Sequence, residues 1–199
     1  MQIEGLWFPD DVGESWRHAL QHVQSVEWAV AHVPQHRVAL QAGGNVGLWP
    51  RRLAARFGRV LTFEPDPVSR ACLQANVPAS VEVHAEALGS APGRCAIKHR
   101  GLGSHRVVEG TEVTITTVDA LELEVLDFLQ LDIEGYEHHA LLGAQKTLRR
   151  CRPMVQVELR GFTSKYGTTT QETEALLASL GYQRVSRQSG SDHVFRCAA

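Results

Sequence analysis

The sequence predicts an α/β fold with a mostly parallel β-sheet and helices on both faces of that sheet. Short apolar runs typical of buried strands alternate with helical patterns from residue 37 to residue 180, the arrangement found in parallel-sheet proteins. A glycine-rich turn, "QAGGNVG" at 41–47, joins the first strand of this series to its first helix. The last two strand-like runs have no helix between them, so we expect an antiparallel pair at the end of the chain.

The first 35 residues differ from the rest and predict an N-terminal helical segment packed on the core. Apolar side chains recur at helical spacing and end before Pro34: Trp16, Leu20, Val23, Val26, Val30 and Val33. We expect this segment to cover one side of a pocket. We predict that this segment, residues 1–35, precedes a main domain formed by residues 36–199.

Within the main domain, each element is predicted from its pattern. The strands are expected at 37–40, 59–64, 81–88 (a strand and its exit), 126–132 and 153–159. β-like runs are expected at 94–99 and 112–118, and the closing pair at 182–186 and 193–197. Helices are expected at 48–57, after Asp66, at 137–150 and at 170–180. Asp66 is placed as the N-cap and Pro67 as the first residue of the second of these helices, and Gly181 follows the last helix at its C′ position.

The bulk composition excludes several classes of protein. Apolar residues make up 43% and charged residues 21% of the 199 residues, and the formal net charge is −2. Such a balance gives no electrostatic footprint for duplex nucleic acid or for an anionic membrane, and no apolar run is long enough to span a bilayer. The four cysteines have no paired spacing, which favours a reducing compartment. We therefore expect a cytoplasmic protein.

Two features at strand ends predict an adenosine-type ligand. Gly43, Gly44 and Gly47 follow a strand and precede a helix, where glycine lets a ligand approach the backbone closely. Glu64 ends the next strand, where a carboxylate can accept hydrogen bonds from both hydroxyls of a ribose. Both NAD and S-adenosylmethionine satisfy this pattern, and these two features leave the choice open.

Further motifs make the sequence similar to a known family. The stretch "FLQLDIEGYEHHALLGA" at 128–144 resembles the FkbM family of S-adenosylmethionine-dependent methyltransferases. Four more pieces match the family pattern in order, namely "GGNVG", "FEPDP", "AEALG" and "RPMVQVEL", so that the resemblance covers roughly residues 36–160. It implies a single Rossmann-like class I domain with a seven-stranded sheet, and an activity that methylates a hydroxyl on a sugar or another small molecule.

The resemblance also implies a set of site residues. Residues from the first motif would line the methionine part of the cofactor: Gln41, Ala42, Gly43, Gly44, Asn45 and Gly47. Glu64 and Pro65 would lie at the ribose, Glu86 and Ala87 at the adenine, and Asp132 and Glu134 beside the methyl donor and acceptor. The family usually has an acidic residue where this chain has Gln41, which predicts weaker cofactor binding because the hydrogen bond loses its charge assistance.

Three carboxylates at strand ends are the first candidates for catalysis. Asp132, Glu134 and Glu158 would lie close together, and like charges raise one another's pKa, which suits one of them to act as a general base. They could instead hold a divalent cation. His105 and His138 are reserve candidates for the base, and the glycine-rich tip around His105 is a candidate lid over the substrate.

Two other functions stay open at this point. An NAD-dependent oxidoreductase explains the glycine loop and Glu64 but not "LDIEGYE". A non-catalytic module that binds S-adenosylmethionine explains the short chain and Gln41. The expected partner is a small-molecule or glycan acceptor, while the identity of that acceptor, the metal dependence and the oligomeric state are not predicted.

Overall fold

The secondary structure of the chain is taken from a computed structural model that describes residues 1–99, 105–188 and 191–198. In chain order the strands are β1 (Gln2–Ile3), β2 (Leu6–Trp7), β3 (Val38–Ala42), β4 (Arg59–Phe63), β5 (Val81–His84), β6 (Ala87–Leu88), β7 (Gly93–Lys98), β8 (Arg106–Thr116), β9 (Phe128–Leu131), β10 (Met154–Glu158), β11 (Tyr182–Gln188) and β12 (Asp192–Cys197). The α-helices are α1 (Ser15–His22), α2 (Val26–Ala31), α3 (Leu48–Ala54), α4 (Pro67–Asn76), α5 (Glu137–Leu142), α6 (Gln145–Cys151) and α7 (Thr170–Ser179). Short 3-10 helices occur at Val23–Ser25, Asp119–Leu121 and Phe162–Tyr166.

The main sheet has seven strands within the described residues, in the order β11-β12-β10-β9-β3-β4-β5. Strands β5, β4, β3, β9 and β10 are parallel, whereas β12 runs antiparallel to both β10 and β11. The expected mostly parallel, Rossmann-like sheet with an antiparallel C-terminal strand is therefore confirmed. The strand order reverses between β3 and β9, and in such sheets a ligand cleft opens at the carboxyl ends of the strands on either side of that point.

Helices cover both faces of the sheet, as the alternation predicted. Neighbouring residues of a strand point to opposite faces. Thus Ala39 packs with the apolar side chains of α2 and α3, and Leu40 packs with those of α5, α6 and α7. Two apolar layers result, and the sheet lies between them.

The N-terminal segment packs on one of these faces. Its helical stripe is split into α1, the 3-10 turn and α2, and its buried valines share one apolar cluster with Ala39, Trp49 and Val194. A short hairpin of β1 and β2, which the sequence patterns did not predict, precedes it and is held to α4 by hydrogen bonds between Trp7 and Asn76. The segment therefore packs against the main sheet as a cover. A division of the chain at residue 35 stays a prediction.

Two predicted elements are wrong in detail. The third strand, expected with its exit at 81–88, ends at His84, and the exit contains β6, which belongs to a separate three-stranded sheet with β7 and β8. The expected helix at 137–150 is broken between α5 and α6 at Gly143. A Cβ atom on Gly143 would lie 2.0 Å from the carbonyl oxygen of Gly89, so the helix breaks where two backbones come close.

The predicted helix ends are confirmed, and the glycine-rich tip is only partly described. Asp66 caps α4 by accepting a hydrogen bond from the Ser69 N–H at 2.8 Å, and Gly181 follows α7 with a left-handed φ of 84°. Residues 100–104 of the tip lie outside the described residues, so the proposed lid is not described. No helix in the described part of the chain is long and apolar enough to cross a membrane.

Candidate active site

A cavity of about 360 Å³ opens at the carboxyl ends of β3, β4, β9 and β10. Most of the predicted site residues line it: Ala42, Gly43, Gly44, Asn45, Glu64, Pro65, Glu86, Ala87, His105, Asp132, Glu134 and Glu158. Gln41, Gly47 and His138 are not among the residues that line it. One continuous space therefore connects the glycine loop after β3 with the carboxylates after β9 and β10.

The glycine loop is shaped by close contact with the strands on either side of it. Gly43 has a φ of 85°, and a Cβ atom on it would lie 1.8 Å from the backbone oxygen of Asp132. A Cβ atom on Gly44 would lie 2.4 Å from Leu73 and 2.8 Å from the Thr62 hydroxyl. Only glycine fits both positions, and the backbone that results turns sharply and is open toward the cavity.

Glu64 lies at the end of β4 with a carboxylate held by backbone groups. Its Oε2 accepts a hydrogen bond from the Asn45 N–H at 2.7 Å, and its Oε1 accepts one from the Asp66 N–H at 2.9 Å. The side chain is 4% exposed, and burial raises the pKa of Glu64 to about 7. The carboxylate is thus fixed at the cavity wall, in the position where the sequence predicted a ribose contact.

Gln41 and Gly47 support the loop from behind. Gln41 is fully buried and accepts a hydrogen bond from the Thr62 hydroxyl, and its Nε2 has no hydrogen-bond partner among the described residues. Gly47 has a φ of 91° and packs against Leu73. Because Gln41 does not reach the cavity, its influence on a ligand would be indirect, through Thr62 and Gly44.

The three candidate carboxylates converge as expected. One oxygen atom each of Asp132, Glu134 and Glu158 lies within 4.8 Å of the others. Burial, and then the charge of Asp192, raise the pKa of Asp132, and burial followed by the charge of Asp132 raises that of Glu158. Burial and the charge of Asp132 likewise raise the pKa of Glu134 to about 7. Such a group holds protons near neutral pH, as closely spaced carboxylates do.

The turn after β9 directs Glu134 toward the cavity. Glu134 has a left-handed φ of 59° and is followed by Gly135 with a φ of 107°. The Glu137 side chain stabilises this turn, because its Oε1 accepts hydrogen bonds from the N–H groups of Ile133 at 2.9 Å and Gly135 at 3.1 Å. In the string "DIEGYE", Glu137 therefore builds the turn, and Asp132 and Glu134 face the space that the turn borders.

Three charged residues of the site were not assigned to it from the sequence patterns, although Arg160 was considered as an ion-pair partner of Glu158. His22 of α1 lines the cavity, and its Nε2 lies 3.2 Å from Oδ2 of Asp192 at the start of β12. Arg160 also lines the cavity, with its Nε 2.6 Å from Oε1 of Glu158. His22 stands within an otherwise apolar helical stripe and Asp192 in a short polar run, so neither had a local signal that could have distinguished it.

The two reserve histidines lie in different places. His105 faces the cavity, with its Nδ1 4.0 Å from Oε1 of Glu64. His138 instead faces α7, where its Nδ1 lies 3.2 Å from the Thr173 hydroxyl. The structure therefore brings His105 toward the cofactor end of the cavity, and it does not bring His138 to the carboxylates.

The strand order, the antiparallel β12 and a glycine loop at the switch point together define a Rossmann-like fold with a nucleotide-type site. Residues 41–184 match the family model described as "Methyltransferase FkbM domain". The chain belongs to the FkbM methyltransferase family, which confirms the resemblance. No curated protein matches the sequence at a significant level.

Solved structures of methyltransferases share this fold. A methyltransferase FkbM from Methylobacillus flagellatus is 18% identical with a TM-score of 0.57, covering 86% of this chain and 46% of its own, so that this chain spans about half of its length. A TehB-like methyltransferase from Corynebacterium glutamicum is 12% identical, with a TM-score of 0.53 and coverages of 93% and 97%. A magnesium protoporphyrin IX methyltransferase from Synechocystis is 14% identical, with a TM-score of 0.53 and coverages of 99% and 88%.

Proposed function

We propose that this protein is an S-adenosylmethionine-dependent O-methyltransferase that methylates a hydroxyl of a sugar or another small molecule. One observation carries the proposal. A single cavity joins the glycine loop and Glu64, at one end, to the carboxylates Asp132, Glu134 and Glu158, at the other. A cofactor held at the first end would present its reactive group toward the second, where an acceptor hydroxyl needs a base.

The residues at the cofactor end fit S-adenosylmethionine. The side-chain oxygen of Asn45 is buried in the cavity wall and has no hydrogen-bond partner among the described residues, so it is available to an amino group. The Glu64 carboxylate is available to the ribose hydroxyls, and the backbone at Gly43 and Gly44 leaves space for the methionine part. The Synechocystis methyltransferase with the same fold has been solved with this cofactor and, separately, with its demethylated product bound.

When bound, S-adenosylmethionine supplies an electrophilic methyl group on a sulfonium that leaves readily. The chain must then hold the acceptor oxygen close and in line, exclude water and remove a proton. We assign the proton acceptor to Asp132, which ends β9 at the cavity. Its raised pKa makes it a stronger base than an exposed aspartate, and Glu158 can share the proton because burial and Asp132 raise its own pKa.

A divalent cation at the same carboxylates is the rival to a base. Asp132, Glu134 and Glu158 have suitable spacing for one. Two cationic side chains already approach this cluster, Arg160 at Glu158 and His22 at Asp192, and they supply positive charge of the kind a metal ion would bring. We therefore favour proton transfer without a metal, and we expect turnover to survive dialysis against a chelator.

The walls of the acceptor end suit a ring that carries hydroxyl groups. Trp49 and Tyr136 line the cavity with aromatic surface, and Ser15 and His18 of α1 add polar groups. Aromatic faces pack well on the apolar faces of such a ring while the polar groups bond its hydroxyls. The net charge of −2 offers no attraction to a duplex nucleic acid.

The first test is calorimetric titration with S-adenosylhomocysteine, with NAD as the control ligand and Glu64→Ala as a second protein. We expect micromolar binding that the substitution abolishes, and no binding of NAD. Binding of NAD alone would assign the fold to an oxidoreductase and overturn the proposal.

Turnover is tested next with methyl-labelled S-adenosylmethionine and a panel of sugars and small alcohols. Label transfer that Asp132→Asn reduces by at least about 100-fold would support the assigned base. If the protein binds S-adenosylhomocysteine but transfers no methyl group to any acceptor, it is better described as a non-catalytic cofactor-binding module.

A further inference from the structure

A second group of ligand-type side chains lies beside the cavity, on the side of the ribose-binding carboxylate. Asp66, His99 and His105 each offer one ligand atom, and these three atoms lie within 4.8 Å of one another. Asp66 follows β4, His99 follows β7 and His105 precedes β8. The three residues therefore join the β4–α4 corner to the tip of the β7–β8 hairpin, where His99 and His105 flank the connection between the two strands. The proposed methyl transfer uses none of them.

One of the two carboxylate oxygens of Asp66 is not used in capping α4. Its Oδ2 accepts the hydrogen bond from Ser69 that caps α4, at 2.8 Å. Its Oδ1 lies 3.6 Å from Nδ1 of His99, too far for a strong hydrogen bond. The first oxygen thus has a structural role, and the second faces an imidazole without bonding it closely.

His99 has the surroundings of a metal-binding imidazole. While its Nδ1 faces Asp66, its Nε2 lies 3.8 Å from Oδ2 of Asp11. A histidine that binds a metal through one ring nitrogen usually donates the N–H of the other to a carboxylate, which fixes the ring and its tautomer. Asp11 is in place for that outer contact.

His105 contributes a nitrogen that nothing else bonds. Its Nε2 is buried and has no hydrogen-bond partner among the residues that the structure describes. Its ring lies 4.5 Å from that of His99, centroid to centroid. An unbonded buried nitrogen is costly unless a ligand meets it.

We propose that Asp66, His99 and His105 bind one divalent transition-metal ion, with Zn²⁺ as the best candidate. Two imidazoles and one carboxylate suit Zn²⁺ and similar ions, whereas Mg²⁺ and Ca²⁺ prefer oxygen ligands alone. Ligands of a tetrahedral zinc lie about 3.3 Å apart, so side chains whose ligand atoms lie within 4.8 Å of one another need to close by at most roughly 1.5 Å. The fourth position is left to water.

The ion would hold the hairpin against the cofactor end of the cavity. The backbone N–H of Asp66 donates to Oε1 of Glu64, and His105 lines the cavity itself. If Glu64 binds a ribose, as the proposed function requires, zinc binding orders the wall next to that ribose. The metal site itself does not depend on the proposed function.

The test is calorimetric titration of the metal-free full chain with zinc chloride. Five proteins are compared: the natural chain, His99→Ala, His105→Ala, Asp132→Asn and His32→Ala. His32 is an exposed histidine on the N-terminal segment and provides a matched control. We expect about one equivalent of zinc in the natural chain, in Asp132→Asn and in His32→Ala, and affinity lower by at least about 10-fold in the other two variants.

Three outcomes would overturn the proposal. They are the absence of a zinc site in the natural chain, a site that both His99→Ala and His105→Ala leave unchanged, and a site lost in Asp132→Asn, which would place the ion at the catalytic carboxylates. The circular dichroism of each variant shows whether it is folded, and the absorption of its cobalt complex shows whether the ligand set is intact. A folded variant that lacks the cobalt bands has lost a ligand. The titration with S-adenosylhomocysteine, run without zinc, tests the proposed function separately.

Discussion

Nε2 of His22 lies 3.2 Å from Oδ2 of Asp192 and links the N-terminal segment to the last strand of the sheet. The Ser25 hydroxyl donates a hydrogen bond to the same oxygen, at 2.5 Å. Asp192 stands opposite Glu158 in the pairing of β12 with β10. The contact therefore places a histidine, supplied by a helix outside the main sheet, against the carboxylates where methyl transfer is proposed.

We predict that His22 lowers the pKa of Asp132, the proposed general base. The neighbouring Asp192 carboxylate raises the pKa of His22, so the ring stays protonated above its usual range and favours the charged form of Asp132. In His22→Gln this positive charge is absent, and the rising limb of kcat against pH should move upward by about 1 unit. The affinity for S-adenosylhomocysteine should change by less than about 2-fold.

The control for this prediction is His32→Gln, which removes an exposed histidine. Asp192→Asn should shift the pH profile in the opposite direction to the His22 variant, because it removes the negative charge that raises the pKa of Asp132. If His22→Gln lowered kcat equally at all pH values, the residue would position the acceptor and would not act through charge.

Glu64 gives a second prediction, on the pH dependence of cofactor binding. Burial raises its pKa to about 7, so the carboxylate proposed to accept hydrogen bonds from ribose hydroxyls forms only as pH rises through that value. Affinity for S-adenosylhomocysteine should therefore increase by up to roughly 10-fold between pH 6 and pH 8. Glu64→Gln should bind more weakly and should show no such increase.

Glu86→Gln is the matched control, since Glu86 also lines the cavity but lies farther along the predicted adenine end. It should keep the same dependence on pH. A Glu64→Gln protein that retained the full increase would assign the titration to another group.

A third prediction separates close packing from backbone strain in the glycine loop. Gly43 and Gly161 have similar positive φ angles, of 85° and 75°, but a Cβ atom would meet the Asp132 backbone only at Gly43. Gly161→Ala should cost about 1 kcal/mol from the left-handed conformation alone. Gly43→Ala should cost about 3 kcal/mol or more and should abolish cofactor binding. Thermal unfolding checks this, and equal losses in the two variants would show that the contact is relieved by a small shift.

The sheet could be predicted from the sequence because its signals are local. The run "FLQLD" is a buried strand by composition, and Asp66 and Pro67 mark a helix start through the needs of four backbone N–H groups. The carboxyl ends of parallel strands must meet at one edge, so the grouping of Glu64, Asp132 and Glu158 followed from the alternation alone.

The features that the sequence did not predict depend on contacts between segments that are distant in the chain. The break in the helix at Gly143 arises from the carbonyl of Gly89, 54 positions earlier in the chain, and no periodicity carries that information. His22 and Asp192 are separated in the same way, and each is ordinary in its own surroundings. Gln41 was read as a cofactor contact by position, whereas the pleat of β3 turns its side chain into the interior toward Thr62.

The last prediction concerns Glu137 and the stability of the folded chain. Glu137 is fully buried, its Oε1 accepts from two N–H groups of the turn after β9, and its Oε2 has no hydrogen-bond partner among the described residues. Burial raises its pKa from 4.5 to about 7. The folded state thus binds this proton more tightly than the unfolded state does.

Because the folded pKa is the higher one, the stabilisation is complete below the unfolded pKa and is lost as pH rises toward 7 and above. At most about 3.5 kcal/mol is lost in this way, since each pKa unit is worth about 1.4 kcal/mol. In Glu137→Gln the amide oxygen can still accept both N–H bonds and no proton is exchanged. The free energy of unfolding should therefore fall less steeply between pH 5 and pH 8 in this variant than in the natural chain.

Urea unfolding at several pH values measures the difference, and Glu109→Gln, at an exposed position of β8, is the control that should leave the slope unchanged. The two curves should converge or cross near pH 8, because the buried charge of the natural side chain is then uncompensated. Parallel curves for the natural chain and Glu137→Gln would mean that Glu137 stays ionised throughout, and that the two N–H groups of the turn offset its burial.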